Sequence, residues 1–223
     1  MTPFFFAKPI TAPEGVRCHL ADPEQHWRKS FSACELATAW INSKGLPPVI
    51  RAVLDGAPEY RSAALIEGYF ERQVDLRTPG QASQTDLMVL LRLEDGHAIM
   101  AVEGKVNESF DNLVKDLGRT PGRERRLDHL RQVLGIPSET VGEMRYQLLH
   151  RTASALFEAE RYGFDHAVML VHSFSQRHAG FNDFARFASA LEIPVAAVNA
   201  ISEARRFGSV DLRLAWVADR PAP

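Results

Sequence analysis

The sequence predicts a mixed α/β domain whose sheet is built around one β-hairpin and flanked by helices. Two β-rich runs, 85–93 and 97–106, flank Asp95-Gly96, and this dipeptide is a strong signal for a tight hairpin turn. Helical periodicity before the hairpin and an alternation of helices and strands after it supply the flanking elements. The 223 residues are 45% hydrophobic and 24% charged, which is ordinary composition for a globular domain.

Composition excludes several classes of protein. The 26 Lys and Arg residues nearly balance the 28 Asp and Glu residues, which argues against a generally basic nucleic-acid coat protein but leaves room for a local basic groove. Two cysteines, Cys18 and Cys34, are too few for a disulfide scaffold or a four-Cys zinc site. Neither a signal peptide nor an apolar run of about 20 residues occurs. We therefore expect a soluble, cytoplasmic protein with no membrane partner.

The beginning of the chain is rich in proline. Residues 1–23 contain four prolines and little periodicity, so we expect an irregular arm in front of a single domain over residues 24–223. Asp22 and Pro23 are typical of a helix start, an N-cap followed by proline at the first helical position. Apolar residues then recur at helical spacing until Gly45.

Two further helices are predicted before the hairpin. Residues 47–55 have the pattern of a short helix. Apolar pairs at 65–66 and 69–70 lie four residues apart, which predicts another helix from Glu59 to about Phe70. The pattern becomes extended near Val74, where we expect a strand over about 72–77.

After the hairpin, helices and strands alternate. The predicted helices span about 123–134, 143–162 and 181–191, and the predicted strands span 166–174, 193–198 and 210–217. The strand at 166–174 is continuously apolar, as a fully buried strand is. The strand at 210–217 alternates apolar and polar residues, which indicates a half-exposed edge strand.

The register of the hairpin places its charged residues on one face. If Asp95-Gly96 forms the turn, Asp86 on the first strand lies opposite Lys105 on the second. Side chains alternate between faces along a strand, so Asp86, Glu103 and Lys105 share one face while Gly104 lies on the other. The rest of the shared face is mostly apolar, so the three charges collect at one end of it.

Acids at the end of a buried hairpin destabilise the fold unless they are paired or bind a metal. Asp86 and Glu103 are near enough to share a divalent cation, Mg²⁺ or Mn²⁺, at about 2.0–2.6 Å from their oxygens. Lys105 beside them can hold a water or stabilise a developing negative charge. The alternative is a buried ion-pair cluster in which Lys105 neutralises both acids.

An Asp on one strand followed by Glu-x-Lys on the next resembles the signature of the PD-(D/E)XK nuclease superfamily. Here it reads Thr85-Asp86, sixteen intervening residues, and Glu103-Gly104-Lys105, with Thr85 in place of the proline. The resemblance implies a restriction-endonuclease-like fold with the order helix, three antiparallel strands, helix, strand, which we assign to residues 59–174. It also implies that Asp86 and Glu103 ligate Mg²⁺ or Mn²⁺ and that Lys105 positions the attacking water.

A second element of the resemblance lies on the predicted helix 143–162. Many members carry Gln-x-x-x-Tyr there, with the Gln reaching the active site; this chain has Gln147 and, four residues on, Arg151. The two share one helix face. Arg151 either grips a phosphate bidentately or belongs with Gln147 to a solvent-facing polar stripe. The family's first-helix acid stays open among three glutamates, Glu35, Glu67 and Glu71.

The sequence thus predicts a metal-dependent nuclease that hydrolyses phosphodiester bonds in DNA with Asp86, Glu103, Lys105 and Gln147 at its active site. The alternative from another class is a catalytically inactive nuclease-fold domain that acts as a binding or structural module. Whether the chain forms a homodimer is left open. The densest basic stretch, 119–131, either follows a phosphate backbone or is a solvated helix face, and its interleaved acids favour the solvated face.

Overall fold

The computed structural model describes residues 2–221 and has a mixed sheet covered by helices on both faces, which confirms the predicted α/β class with a central hairpin. The strands in this range are β1 Phe4–Phe5, β2 Ala64–Val74, β3 Ser83–Leu93, β4 Gly96–Lys105, β5 His166–Ser173, β6 Ala200–Ile201, β7 Arg205–Phe207 and β8 Val210–Ala218.

Helices precede, interrupt and follow the strands. They are α1 Glu14–Arg17, α2 Pro23–His26, α3 Ser32–Ser43, α4 Pro48–Leu54, α5 Pro121–Leu134, α6 Ser138–Val141, α7 Tyr146–Tyr162 and α8 Phe181–Ala190. Among the described residues, none of these helices has the length and apolar character required to cross a membrane.

The sheet joins an antiparallel half to a parallel half. Its strands lie in the order β1-β2-β3-β4-β5-β8-β6, and β7 also pairs with β8. Strands β2, β3 and β4 form an antiparallel meander, whereas β4, β5 and β8 run parallel. The assignment of the order helix, three antiparallel strands, helix, strand to residues 59–174 is wrong at its start, because residues 64–74 form strand β2 and not a helix. Counted from α3, the described elements contain this order, with α4 before the meander and α5 and α6 before α7 as additional helices.

Each face of the sheet has its own apolar core. Met88 and Ile99 pack with Leu149 of α7 on one face, together with residues of α5 and α8. Val89 packs with Trp40 of α3 on the other face, together with residues of α4. The alternation of side chains along β3 and β4 therefore decides which helix each residue meets.

The prediction of a helix from Glu59 to Phe70 is wrong, because much of this segment belongs to strand β2. Residues 64–74 are extended and pair with β3 along their length. Two irregularities disturb the normal alternation: the register shifts between Leu65 and Glu67, and Glu71 has a left-handed backbone with φ of 54°. Because of the shift, apolar pairs fall four residues apart and imitate a helical period. The predicted strand at 72–77 overlaps only the end of β2.

The N-terminal region is more regular than its prolines suggest. Phe4 is buried and, with Phe5, extends the sheet beside β2, so the prediction of an irregular arm over residues 1–23 is wrong for this part. Asp22 does cap a helix, since its carboxylate accepts a hydrogen bond from the Gln25 N–H at 3.0 Å. That helix ends at His26, and a separate helix, α3, begins at Ser32.

Two predictions near the C-terminus are also wrong. Residues 193–198 do not form a strand; the Ile193 N–H donates to the Ala188 carbonyl at 3.1 Å and finishes helix α8. Strand β8 is not an exposed edge, because β6 and β7 cover the side that β5 leaves open and nearly all of β8 is buried. Short strands of two and three residues leave little periodicity in a sequence, so their covering role was not predicted.

The hairpin itself forms as predicted, with a register shifted by two residues. Leu93 lies opposite Gly96 and Arg92 opposite His97, so the turn residues are Glu94 and Asp95 rather than Asp95 and Gly96. A shift by two residues keeps every side chain on its face, whereas a shift by one would reverse them all.

The predicted grouping of charges therefore survives the change of register, but the opposite partner of Asp86 changes. The observed pairing ends with Leu87 opposite Val102, and continuing it by one residue places Asp86 opposite Glu103 instead of Lys105. Gly104 lies on the α3 face, where an added Cβ would meet Leu36 at 3.4 Å. Its missing side chain lets α3 approach the sheet directly behind the acids.

Candidate active site

A cleft of about 710 Å³ opens where β3 begins and β4 ends. Most of its charged and amide lining comes from the sheet and from the first turn of α7, namely Glu71, Gln84, Asp86, Glu103, Lys105 and Gln147, and the loop after β4 adds Asn107 and Glu108. The opposite wall is the segment 20–33, which contains helix α2 and the exposed Phe31 ring. All four residues predicted for the active site, Asp86, Glu103, Lys105 and Gln147, are thus brought together in one cleft.

Glu103 is the centre of the hydrogen-bond network. Only 1% of its surface is exposed, and its two oxygens accept three hydrogen bonds. Oε1 accepts from Lys105 Nζ and from Gln147 Nε2, both at 2.6 Å. Oε2 accepts from Arg151 Nε at 2.5 Å. Every one of these donors comes from β4 itself or from α7, so the helix is tied to the end of the strand.

Asp86 is the more open of the two predicted metal ligands. Its Oδ2 accepts a hydrogen bond from the Gly104 N–H at 2.9 Å, which fixes the carboxylate against β4. Its Oδ1 lies 3.6 Å from Arg151 Nη2, a long contact for an ion pair. About 24% of the side chain remains exposed to the cleft. Asp86 therefore has an oxygen available to a ligand that enters from solvent.

Arg151 is buried, which overturns the alternative of a solvent-facing polar stripe. Its exposed fraction is 7%, and its guanidinium spans the carboxylates of both hairpin strands. Nη1 also donates to Ser83 Oγ at 3.0 Å, and Ser83 Oγ lies 2.9 Å from His150 Nδ1. With its fork committed to these partners, Arg151 does not present a free face to a phosphate.

Gln84 joins the site without having been predicted there, and Glu71 joins it as one of the three glutamates left open for the first-helix acid. Gln84 donates a hydrogen bond to Glu71, whose left-handed backbone turns its carboxylate toward the cleft. The position of Gln84 two residues before Asp86 was a readable signal, because residues two apart share a strand face. Of the glutamates left open, Glu71 lines the cleft but lies on β2, whereas Glu35 lies on helix α3 and accepts the Ser30 N–H at 2.8 Å.

The charges set the protonation of the cluster. Burial and the neighbouring Glu103 raise the pKa of Asp86 to about 8, against the pull of Arg151. Burial also disfavours the charged form of Glu103, but Lys105 and Arg151 outweigh it and lower the pKa of Glu103 to about 2. Burial opposes the ammonium of Lys105, yet Glu103 and Asp86 raise its pKa. Glu103 is thus the acid whose charge the two cations stabilise most, and Asp86 the acid whose charge they stabilise least.

The donor set suits a hard divalent cation, since Asp86 and Glu103 are carboxylates on neighbouring strands and one of them opens to solvent. Over residues 2–221, no group of three or more His, Cys, Asp or Glu side chains is arranged to hold a metal ion. Asp86 and Glu103 alone are thus the two carboxylates of the predicted metal site, and both oxygens of Glu103 already accept hydrogen bonds from the protein.

The basic stretch is largely exposed to solvent. It lies on and just before α5, where Arg119, Arg123 and Arg125 are exposed. Arg131 pairs with Asp128 on the same helix at 3.1 Å. As the interleaved acids indicated, part of this charge is neutralised locally.

Taken together, the fold and the cleft define a mixed α/β protein with a carboxylate and cation cluster at one end of its sheet. The chain belongs to a family described as a domain of unknown function (DUF6946), whose model matches residues 9–221. No curated protein and no solved structure matches it.

Asp86→Asn should change how stability depends on pH. Between the ordinary pKa of 3.8 and the folded value of about 8, the folded state binds a proton at Asp86 that the unfolded state has released. Asp86 therefore lowers stability progressively as pH rises from 5 to 8, and its partial exposure limits the effect to about 1–3 kcal/mol. Urea unfolding of both proteins at pH 5 and pH 8 measures this. Relative to the wild type, we expect the free energy of unfolding of the variant to be higher at pH 8 than at pH 5. An equal pH dependence of the two proteins would contradict the raised pKa of Asp86.

Proposed function

We propose that this chain is a metal-dependent nuclease of the PD-(D/E)XK superfamily that hydrolyses phosphodiester bonds in DNA. The observation that carries the proposal is the convergence of Asp86, Glu103 and Lys105 from two adjacent strands on one cleft, with Gln147 bonded to Glu103 from the next helix. Counted from α3, and with α4, α5 and α6 as additional helices, the order of elements up to β5 is compatible with the order that the resemblance implies. The restriction-endonuclease-like fold is part of the same proposal.

In this proposal, each residue of the cleft has a definite task. Asp86 and Glu103 hold the divalent cation, which supplies charge stabilisation at a phosphate oxygen. Lys105 is an ammonium at neutral pH, so it orients a water and offsets negative charge as a donor rather than as a base. Gln147 holds Glu103 Oε1 beside Lys105 and thereby fixes where both side chains point.

The binding partner and the compartment belong to the proposal as well. DNA is the substrate that the resemblance implies, and a cation in the cleft offsets the repulsion between phosphates and the acids that line it. Cys18 and Cys34 are free thiols, which agrees with a reducing cytoplasm.

A second candidate is favoured by one observation, the position of Arg151. Its guanidinium contacts Glu103 at 2.5 Å and Asp86 at 3.6 Å, so cations of the protein itself neutralise the acids. A buried network of this kind can be retained for structural reasons alone. The alternative is therefore a nuclease fold that has become a binding or structural module.

A cleavage assay separates the two. The wild type should cut plasmid or single-stranded DNA in the presence of Mg²⁺ or Mn²⁺, and EDTA should stop the reaction. Asp86→Asn should be inactive, because it removes the accessible carboxylate. Millimolar cation should also raise the melting temperature of the wild type more than that of the variant. A wild type that is inert on every substrate and shows no cation response would favour the module.

A further inference from the structure

Arg151 contacts carboxylates from both strands of the hairpin. Its Nε is bonded to Glu103 Oε2, and its Nη2 faces Asp86 Oδ1. Two of the four oxygens of these carboxylates therefore already face the guanidinium, and a cation shared by Asp86 and Glu103 would have to bind beside that positive charge. A guanidinium and a divalent cation cannot approach the same pair of oxygens without strong repulsion.

The contacts of Arg151 differ in strength, which shows how the site can open. The guanidinium is anchored by Glu103 at 2.5 Å and by Ser83 at 3.0 Å, whereas Asp86 is 3.6 Å away. The anchored contacts are short and buried, and the contact with Asp86 is long and lies beside the cleft. Of these three contacts, the one with Asp86 can therefore break with the smallest loss of stabilisation.

We infer that Arg151 is an internal counter-ion that competes with the divalent cation for Asp86 and Glu103 and so weakens metal binding. This inference rests on the proposed metal site. In the metal-free protein Arg151 keeps the acids together, and a cation binds only as the guanidinium moves away from Asp86. Arginine suits this role because its charge is permanent and its planar fork reaches several oxygens at once. Arg151 thus sets the cation concentration at which the site fills.

The test compares Mn²⁺ binding by Arg151→Met and by the wild type. Methionine keeps much of the length and apolar character of the side chain and removes the charge. We expect the dissociation constant, measured by calorimetric titration or by electron paramagnetic resonance of free Mn²⁺, to fall by about 10-fold or more. The variant should melt below the wild type without metal, and Mn²⁺ should restore much of that loss.

Arg72→Met is the matched control. Arg72, on strand β2, forms an ion pair at 2.9 Å with the buried Glu158. Glu158 lies on α7, about two turns beyond Arg151. Arg72→Met should also lose thermal stability, but its Mn²⁺ affinity should equal that of the wild type. If Arg151→Met is too unstable to measure, Arg151→Lys replaces it. A single ammonium cannot bridge both carboxylates as the fork does, so we expect Mn²⁺ to bind a few-fold more tightly than to the wild type.

Each other outcome overturns the inference in a recognisable way. If the wild type binds Mn²⁺ and Arg151→Met binds it equally or more weakly, Arg151 does not compete, and the proposed nuclease is untouched. The same conclusion follows if Arg151→Lys binds no more tightly than the wild type. If the wild type and all variants fail to bind Mn²⁺, the metal site and with it the proposed function are also wrong.

Discussion

Lys105→Ala is expected to reduce metal-dependent DNA cleavage by about 10³-fold or more while leaving metal and DNA binding in place. Lys105 Nζ is 2.6 Å from Glu103 and faces the cleft, so its charge acts mainly on the state in which negative charge develops. Stability should fall by only about 1–3 kcal/mol, because Arg151 and Gln147 continue to satisfy Glu103. Steady-state cleavage, filter binding and thermal melts measure these quantities side by side.

Lys115→Ala is the control for this experiment. Lys115 also pairs with a glutamate, Glu143, at 2.9 Å, but both side chains are about half exposed and neither lines the cleft. Its removal should change neither cleavage nor stability appreciably. If the wild type shows no cleavage and Lys105→Ala is about 3–5 kcal/mol less stable than the wild type, Lys105 is a structural counter-ion and the module is favoured.

Glu103→Gln is expected to lower the free energy of unfolding by about 3–5 kcal/mol. The substitution keeps the size of the side chain and removes its charge, so packing is conserved. Lys105 and Arg151, 5% and 7% exposed, then share a buried site without the carboxylate that holds both. Urea unfolding at pH 7, followed by circular dichroism, gives the difference directly.

Glu143→Gln supplies the matched comparison, because its carboxylate is 55% exposed in the pair with Lys115. We expect its effect to stay within about 0.5 kcal/mol. An effect of Glu103→Gln as small as this would mean that the network around Glu103 stores little stability. In that case burial and short hydrogen bonds would be poor guides to the energetics of this cleft.

The site was predictable because its geometry depends on the parity of a hairpin rather than on its exact register. The turn falls at Glu94 and Asp95, one residue earlier than expected, and the paired positions change by two. The face of Asp86 and of Glu103 does not change, since side chains alternate with a period of two. The apolar runs on either side were long enough to make the strands themselves unambiguous.

The parts that were not predicted depend on contacts between distant segments. The sequence places Arg151 one helical turn after Gln147, but only the packing of α7 on the sheet shows that it is buried between two carboxylates. The left-handed backbone of Glu71 is equally invisible in the local pattern, because nothing at that position favours such a conformation. Both residues are oriented by tertiary structure and not by propensity.

The shortness of β1 has a consequence for how molecules of this protein meet one another. Among the described strands, β1 covers β2 only at Gly68 and Tyr69, so most of that border of the sheet keeps its backbone groups available to a neighbour. Charged side chains at Glu67 and Arg72, the bulge beside Glu67 and the left-handed Glu71 interrupt this border on both sides of the covered pair. Irregular, charged borders are poor templates for intermolecular strand addition. The same irregularity that turns Glu71 toward the cleft thus also protects the protein from aggregation.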